Sequence, residues 1–285
     1  LTRPDLLFSL LLSQTLRFSG KLEFLPKLVK WAGIDSFRTE DFQAQAGNDG
    51  KKFDSLVEKT AREVGKLTHD LNSENDIEIR ELQEFAISLI DTAISKTEVQ
   101  QIEWLYYHKA LLLNQLEKSE EAQKFLIPVV KEKRDQFWAW HALANVVENS
   151  DSQLALSLCC KSYLTCKDLK FAVRVFEDIT RLALQQNNLQ LAKWATDKAF
   201  TIRNDNGWRI TQSLRDFLES NWYSQAEVLL NPEEYLKTIA EDAEKVIWAN
   251  LPRYKANYLG TFNTKKGTTM VKFGLLWQGS SQEIA

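Results

Sequence analysis

The sequence predicts a mainly α protein: a helical-hairpin array, with an N-terminal helical region before it and a C-terminal β-hairpin after it. Three observations carry this expectation. Glycine (10) and proline (5) are scarce among 285 residues, which suits long helices joined by short connections. Apolar residues recur at helical spacing through most of the chain. Between Gln100 and Asn206 a pattern of bulky and small residues repeats at the length of one helical hairpin.

The elements can be justified in order. Thr2 is placed to cap a helix with Pro4 in its first turn, whose apolar face is Leu6, Leu7, Leu10, Leu11 and Phe18. A short helix follows from about Leu22 to Trp31 and stops at Gly33. The polar stretch from Gln43 to Lys52 reads as a loop. Ser55 with Glu58 forms a capping box for a helix through about Leu71. A longer helix runs from about Ile77 to Lys96, with Leu82, Phe85, Ala86, Leu89, Ile90 and Ala93 at helical spacing. These N-terminal helices show no internal repeat.

The repetition begins near Gln100. Ala122, Ala155 and Ala192 align as a small residue in three second helices, separated by 33 and 37 residues. In the first helices Tyr106, Trp140 and Phe176 align at a bulky position. Ala110, Ala144 and Thr180 follow four residues later, and Leu113, Val147 and Ala183 three beyond those. Antiparallel helices approach closely only where a small side chain meets a bulky one, and each hairpin buries its remaining apolar face on the next. On these residues the segment resembles the tetratricopeptide repeat family, whose period is 34 residues. Two features depart from the family pattern. The proline that usually closes a repeat is missing at Arg134, and Thr180 stands at a small position. A further helical pair, about Thr211 to Asn221 and Pro232 to Asn250, is expected to cap the array, with Pro232, Glu233 and Glu234 as a helix start.

The C-terminal segment changes class. Tyr254, Ala256, Tyr258, Gly260 and Phe262 alternate, Asn263 to Gly267 reads as a turn, and Val271, Phe273 and Leu275 alternate again. Gly260 to Asn263, Lys265 to Gly267 and Val271 to Phe273 resemble the opening of a cold-shock or S1-type OB barrel. A five-stranded barrel needs more chain than follows Phe273, so only its first strands are expected. The resulting division is 1–99 N-terminal helical region, 100–206 hairpins, 207–250 capping helices and 251–285 basic β segment. Because the chain starts at Leu1 rather than Met, it reads as an excised fragment.

Function classes can be narrowed. There is no phosphate loop, dinucleotide fingerprint or nucleophile elbow, so no enzyme is expected. Cys159, Cys160 and Cys166 fall on one expected helix, which argues against a disulfide framework and for a reducing, cytoplasmic setting. With His69, His108 and His141 they show no metal-ligand spacing, so no cofactor or metal is expected. No run approaches the ~20 apolar residues of a membrane span, and no membrane partner is expected.

Net charge is −3, yet Val246 to Gln282 carries five basic residues and no acidic one, leaving −8 on the rest. In the tetratricopeptide family the first helices line a concave groove. By register, that resemblance implies a partner-binding face of Trp104, Tyr107, Trp138, His141, Asn145, Arg174 and Arg181. Two Trp and a Tyr leading to two Arg would suit an extended protein or peptide segment with an apolar and an acidic end. The competing expectation is that Trp104 and Trp138 pack against the N-terminal helices and fill the groove. In the basic segment, Lys255, Lys265, Lys266 and Lys272 among aromatic residues point to RNA or single-stranded DNA contact. The competing expectation there is an ordinary hairpin whose lysines protect an edge. The functional expectation is a non-enzymatic interaction scaffold. The alternative is a nucleic-acid or nucleotide sensor subunit of a bacterial stress or defence system.

Overall fold

The computed structural model describes residues 4–17, 22–46, 50–71, 76–249, 255–264, 267–275 and 283–284. Among these residues are thirteen α-helices and five short strands, so the protein is mainly α. Residues Leu1–Ile247 form one compact unit and Trp248–Ala285 a second.

In the first unit, helix α1 spans Leu6–Thr15 and α2 spans Leu25–Ala32. Thr2 and Phe18 lie outside the described residues, and Asp5 is the cap instead: its carboxylate accepts from the Leu7 and Phe8 amides at 2.8 and 3.2 Å. The expected apolar face of α1 is corrected. Leu6, Leu7, Leu10 and Leu11 are more than half exposed, while Phe8 and Leu12 are buried. A polar anchor explains the rotation. The Ser9 hydroxyl donates to Asp41 Oδ2 at 2.5 Å, and Asp41 also accepts from the Arg38 amide at 2.8 Å. Burying Ser9 against this pair turns the neighbouring leucines outward. Helix α2 ends at Gly33, whose φ of 80° favours glycine.

The expected loop after Gln43 contains a two-residue ladder, β1 (Gln45–Ala46) antiparallel to β2 (Lys52–Phe53). Helix α3 (Leu56–Asp70) starts at Ser55, whose hydroxyl accepts from the Glu58 amide at 3.0 Å. The second half of the expected box is absent. Glu58 instead reaches across to the start of α5 (Ile102–Gln115), accepting from the Gln100 and Gln101 amides at 3.0–3.2 Å. Helix α4 (Asp76–Lys96) pairs with α3. Gly65 lets α3 approach closely: a Cβ there would lie 3.1 Å from both His108 Cβ and Ile90 Cδ1. A mid-helix glycine costs about 1 kcal/mol against alanine, a cost offset here by the contact it permits.

Then come the hairpins read from the sequence: α5 with α6 (Ser119–Glu132), α7 (Phe137–Val147) with α8 (Ser152–Thr165), and α9 (Val173–Gln185) with α10 (Leu189–Asp205). Ala122, Ala155 and Ala192 are fully buried, as are Trp140 and Phe176 opposite the small positions. Thr180 fits through its hydroxyl, which bonds Phe176 O at 3.0 Å and faces Thr196 Oγ1 at 3.2 Å. Where a repeat-closing proline is missing, Trp140 Nε1 donates to Arg134 O at 2.8 Å and ties down the connection.

The first and third hairpins turn alike. Glu117 (φ 62°) and Asn187 (φ 56°) are left-handed, and the next amide in each bonds back to Leu113 O or Ala183 O.

Helix α5 serves two cores. Leu105 and Leu112 join an N-terminal cluster with Phe8, Val29, Val64 and Ile90, while Ala110 and Leu113 join the cluster of the later hairpins. Helices α11 (Gln212–Glu219), α12 (Asn221–Gln225) and α13 (Pro232–Trp248) follow, with Leu214, Leu236 and Ala243 buried.

In the second unit β3 (Ala256–Asn263) pairs antiparallel with β4 (Thr269–Leu275), and β5 (Glu283–Ile284) adds to the far side of β4. The hairpin lies where the alternation placed it, but the alternation itself breaks. A bulge between Tyr258 and Gly260, where Gly260 takes φ 128°, shifts the register. Tyr258 pairs with Phe273 on one face, and Phe262 pairs with Met270 on the other.

Candidate functional site

The first helices bring the expected aromatic residues together. Trp104 on α5 stacks on Trp138 of α7, ring centroids 5.1 Å apart and planes 19° from parallel. Tyr107 meets both edge-on, at 6.0 and 5.0 Å. All three are half-buried. Trp104 and Tyr107 also border a cleft of about 410 Å³, closed on its other side by Arg62, Glu63, Lys66, His69 and Asp70 of α3. The N-terminal region thus flanks these aromatic residues without burying them. The α3 residues escape a reading based on repeats, because α3 has none. Their spacing at positions 62, 66 and 69 is the one signal available, since it places three basic side chains on one helical face.

The rest of the expected face divides. His141 Nε2 lies 2.7 Å from Asp178 Oδ2. Arg181 forks onto Glu148 with both terminal nitrogens and bonds Asp178 Oδ1 at 2.9 Å. Burial pushes the Asp178 carboxyl up, but the bonds and charges of His141 and Arg181 outweigh it and hold the group below the usual carboxylate range. Glu148 and the bond to Asp178 raise Arg181 further against its own burial. Arg181 is therefore matched by two carboxylates and staples α7 to α9. Arg174 and Asn145 are exposed, and Arg174 has no hydrogen-bond or ion-pair partner among the described residues.

His108 lies on the cleft floor, more than nine-tenths buried, and its Nδ1 has no hydrogen-bond partner. Burial, aided by His69, Lys66 and Arg62, lowers its pKa to about 4, against a weaker opposite pull from Asp70. The imidazole is therefore neutral at pH 7. A base whose folded pKa lies below its unfolded value of about 6.5 loses stability as pH falls between the two. The contribution of His108 should drop by about 2 kcal/mol from pH 7 to pH 5. Urea unfolding at both pH values tests this: His108→Gln should lose that much less than the wild type, and parallel losses would refute it.

Cys159 and Cys160 are buried and unbridged, with burial pushing both thiols up, and Cys166 Sγ donates to Asp168 O at 3.1 Å. Among the described residues no group of three or more His, Cys, Asp or Glu is disposed to hold a metal. None of the described helices is long and apolar enough to cross a membrane.

In the second unit Lys255 is exposed before β3, and Lys272 stands on β4 opposite Gly260. Lys265, Lys266, Tyr254 and Trp277 lie outside the described residues. Tyr258 and Phe273 form an edge-on pair 6.1 Å apart, each about half exposed.

Fold and site together define a helical-hairpin array that presents an aromatic and charged face on its first helices. Residues 103–243 match the family described as Domain of unknown function (DUF7017), so the chain carries a DUF7017 domain from the start of α5 into α13. No curated protein matches the chain.

Proposed function

We propose that this protein is a non-enzymatic interaction scaffold whose first-helix face holds an extended segment of a protein partner. The observation that carries the reading is the Trp104–Tyr107–Trp138 cluster, three large aromatic side chains left partly exposed beside an open cleft. Aromatic residues with an accessible face dominate the energetics of protein recognition. The spacing of the hairpins, similar to tetratricopeptide repeats, supports a groove in the same place. By the register of that resemblance, Arg174 offers an uncommitted cation further along the same groove. Arg181 serves as a structural staple, so the acidic end of a partner meets one arginine here instead of two.

A second contact, with RNA or single-stranded DNA, is favoured by the exposed Tyr258–Phe273 pair on a basic segment. Capture with the intact chain, before and after nuclease, separates the two. The scaffold reading expects a protein that survives nuclease and binds about fivefold or more weakly to Arg174→Ala, at an unchanged melting temperature. Capture that is abolished by nuclease, or is indifferent to Arg174→Ala and Trp138→Leu alike, would remove it.

A further inference from the structure

We propose that the cleft between α3 and α5 is a nucleotide site, in which a base stacks on Trp104 and the phosphate meets Lys66. This goes beyond the scaffold reading and does not depend on it.

Three observations point the same way. The cleft volume of about 410 Å³ falls within the range of small-ligand sites, roughly 300–1,000 Å³. Trp104 borders the cleft, and its packing on Trp138 and against Tyr107 holds the indole in place there. A base entering there extends a two-ring stack into three, and such stacking tolerates any base. Opposite stands a basic row on one face of α3. Arg62 is committed to Asp54 at 2.7 Å and His69 to Asp70 at 2.9 Å, but Lys66 is exposed with no partner among the described residues. An unpaired ammonium is a point charge suited to a phosphate.

The carboxylates decide between ligand classes. Glu63 and Asp70 border the same cleft, so a segment rich in carboxylates would be repelled there. A nucleotide carries both features: an anion for Lys66, and ring N–H or amino donors that Glu63 can accept. The chemistry is shared by a free nucleotide and by one unit of a single strand.

Calorimetric titration of the full chain distinguishes these sources. The probes are adenosine 5′-monophosphate, uridine 5′-monophosphate, adenosine, inorganic phosphate and a twelve-nucleotide oligothymidylate. Either monophosphate should bind at one site per chain, with adenosine and phosphate each about tenfold weaker or worse. Lys66→Gln should weaken the monophosphates about tenfold and leave adenosine unchanged. Trp104→Leu should weaken adenosine and monophosphates together. A free nucleotide as ligand predicts the oligonucleotide to bind no tighter than the monomers. A strand unit predicts tighter binding that Lys66→Gln abolishes.

No heat from either monophosphate at millimolar concentration overturns the proposal, as does binding indifferent to both substitutions. A captured protein lost on Lys66→Gln, with no nucleotide binding, assigns the cleft to a peptide and overturns it too.

Discussion

Trp140→Ala should destabilise the protein by about 3–5 kcal/mol, the usual cost of truncating a buried large aromatic side chain. Trp140 is 1% exposed and sits at the bulky position of α7, against the small residues that let the hairpins close. Its ring also lies beneath Lys161 Nζ, 5.7 Å from the centroid. Its indole N–H holds the α6–α7 connection through Arg134 O. Trp140→Phe keeps most of the ring and leaves that carbonyl unmet, so about 1–3 kcal/mol is expected. Trp138→Leu, two residues away on the partly exposed face, should cost only about 1 kcal/mol. Chemical denaturation of the three variants measures the contrast. Equal losses at Trp138 and Trp140 would mean that the face is core, and the groove would have to be abandoned.

Glu58→Ala should cost about 2–4 kcal/mol, because it leaves the Gln100 and Gln101 amides without their acceptor at the start of α5. The carboxylate is fully buried by surface area, and it spans α3 to α5 across more than forty residues of chain. Burial raises its pKa, opposed by the two amide bonds. A carboxyl with a raised folded pKa adds stability that is present below its unfolded pKa and lost as pH rises through the raised value. Glu58→Gln removes that dependence and keeps one accepting oxygen, so it should cost less than alanine at pH 7. The gap between wild type and Glu58→Gln should widen on going from pH 7 to pH 4. Unfolding midpoints at both values test this, and a gap that narrows would contradict the assignment.

The hairpins from α5 to α10 are legible in the sequence because their determinants are local. A helix registers its own period, and the close approach of neighbours demands a small residue at a regular interval. Ala122, Ala155 and Ala192 keep that interval, and all three are buried where helices meet. Thr180 is readable as a departure from the pattern, but its pairing with Thr196 is not, since hydroxyl partners carry no periodic signal. The register that the tetratricopeptide resemblance implies puts Trp104, Tyr107 and Trp138 on one face, and the three rings do meet.

What register cannot supply is the choice of partner. Arg181 has the position of a groove residue, yet Glu148 and Asp178 claim it, because charge pairing depends on which side chains arrive within about 4 Å after folding. The orientation of α1 is decided likewise. Five leucines in ten residues are compatible with more than one buried stripe, and the Ser9–Asp41 bond selects the stripe of Phe8 and Leu12. Glu58 stands three residues after Ser55 as a capping box requires, but the amides it satisfies belong to a helix beginning at Ile102. At the C-terminus one bulged residue reverses the face of Phe262, since strand side chains alternate with a period of two. By itself the sequence determined the helical period, the hairpin repeat and the position of the β segment, all properties of neighbours along the chain. The tertiary structure alone decided the face of α1, the ion pairs of the groove and the cleft beside α3, because these depend on groups the chain keeps far apart until it folds.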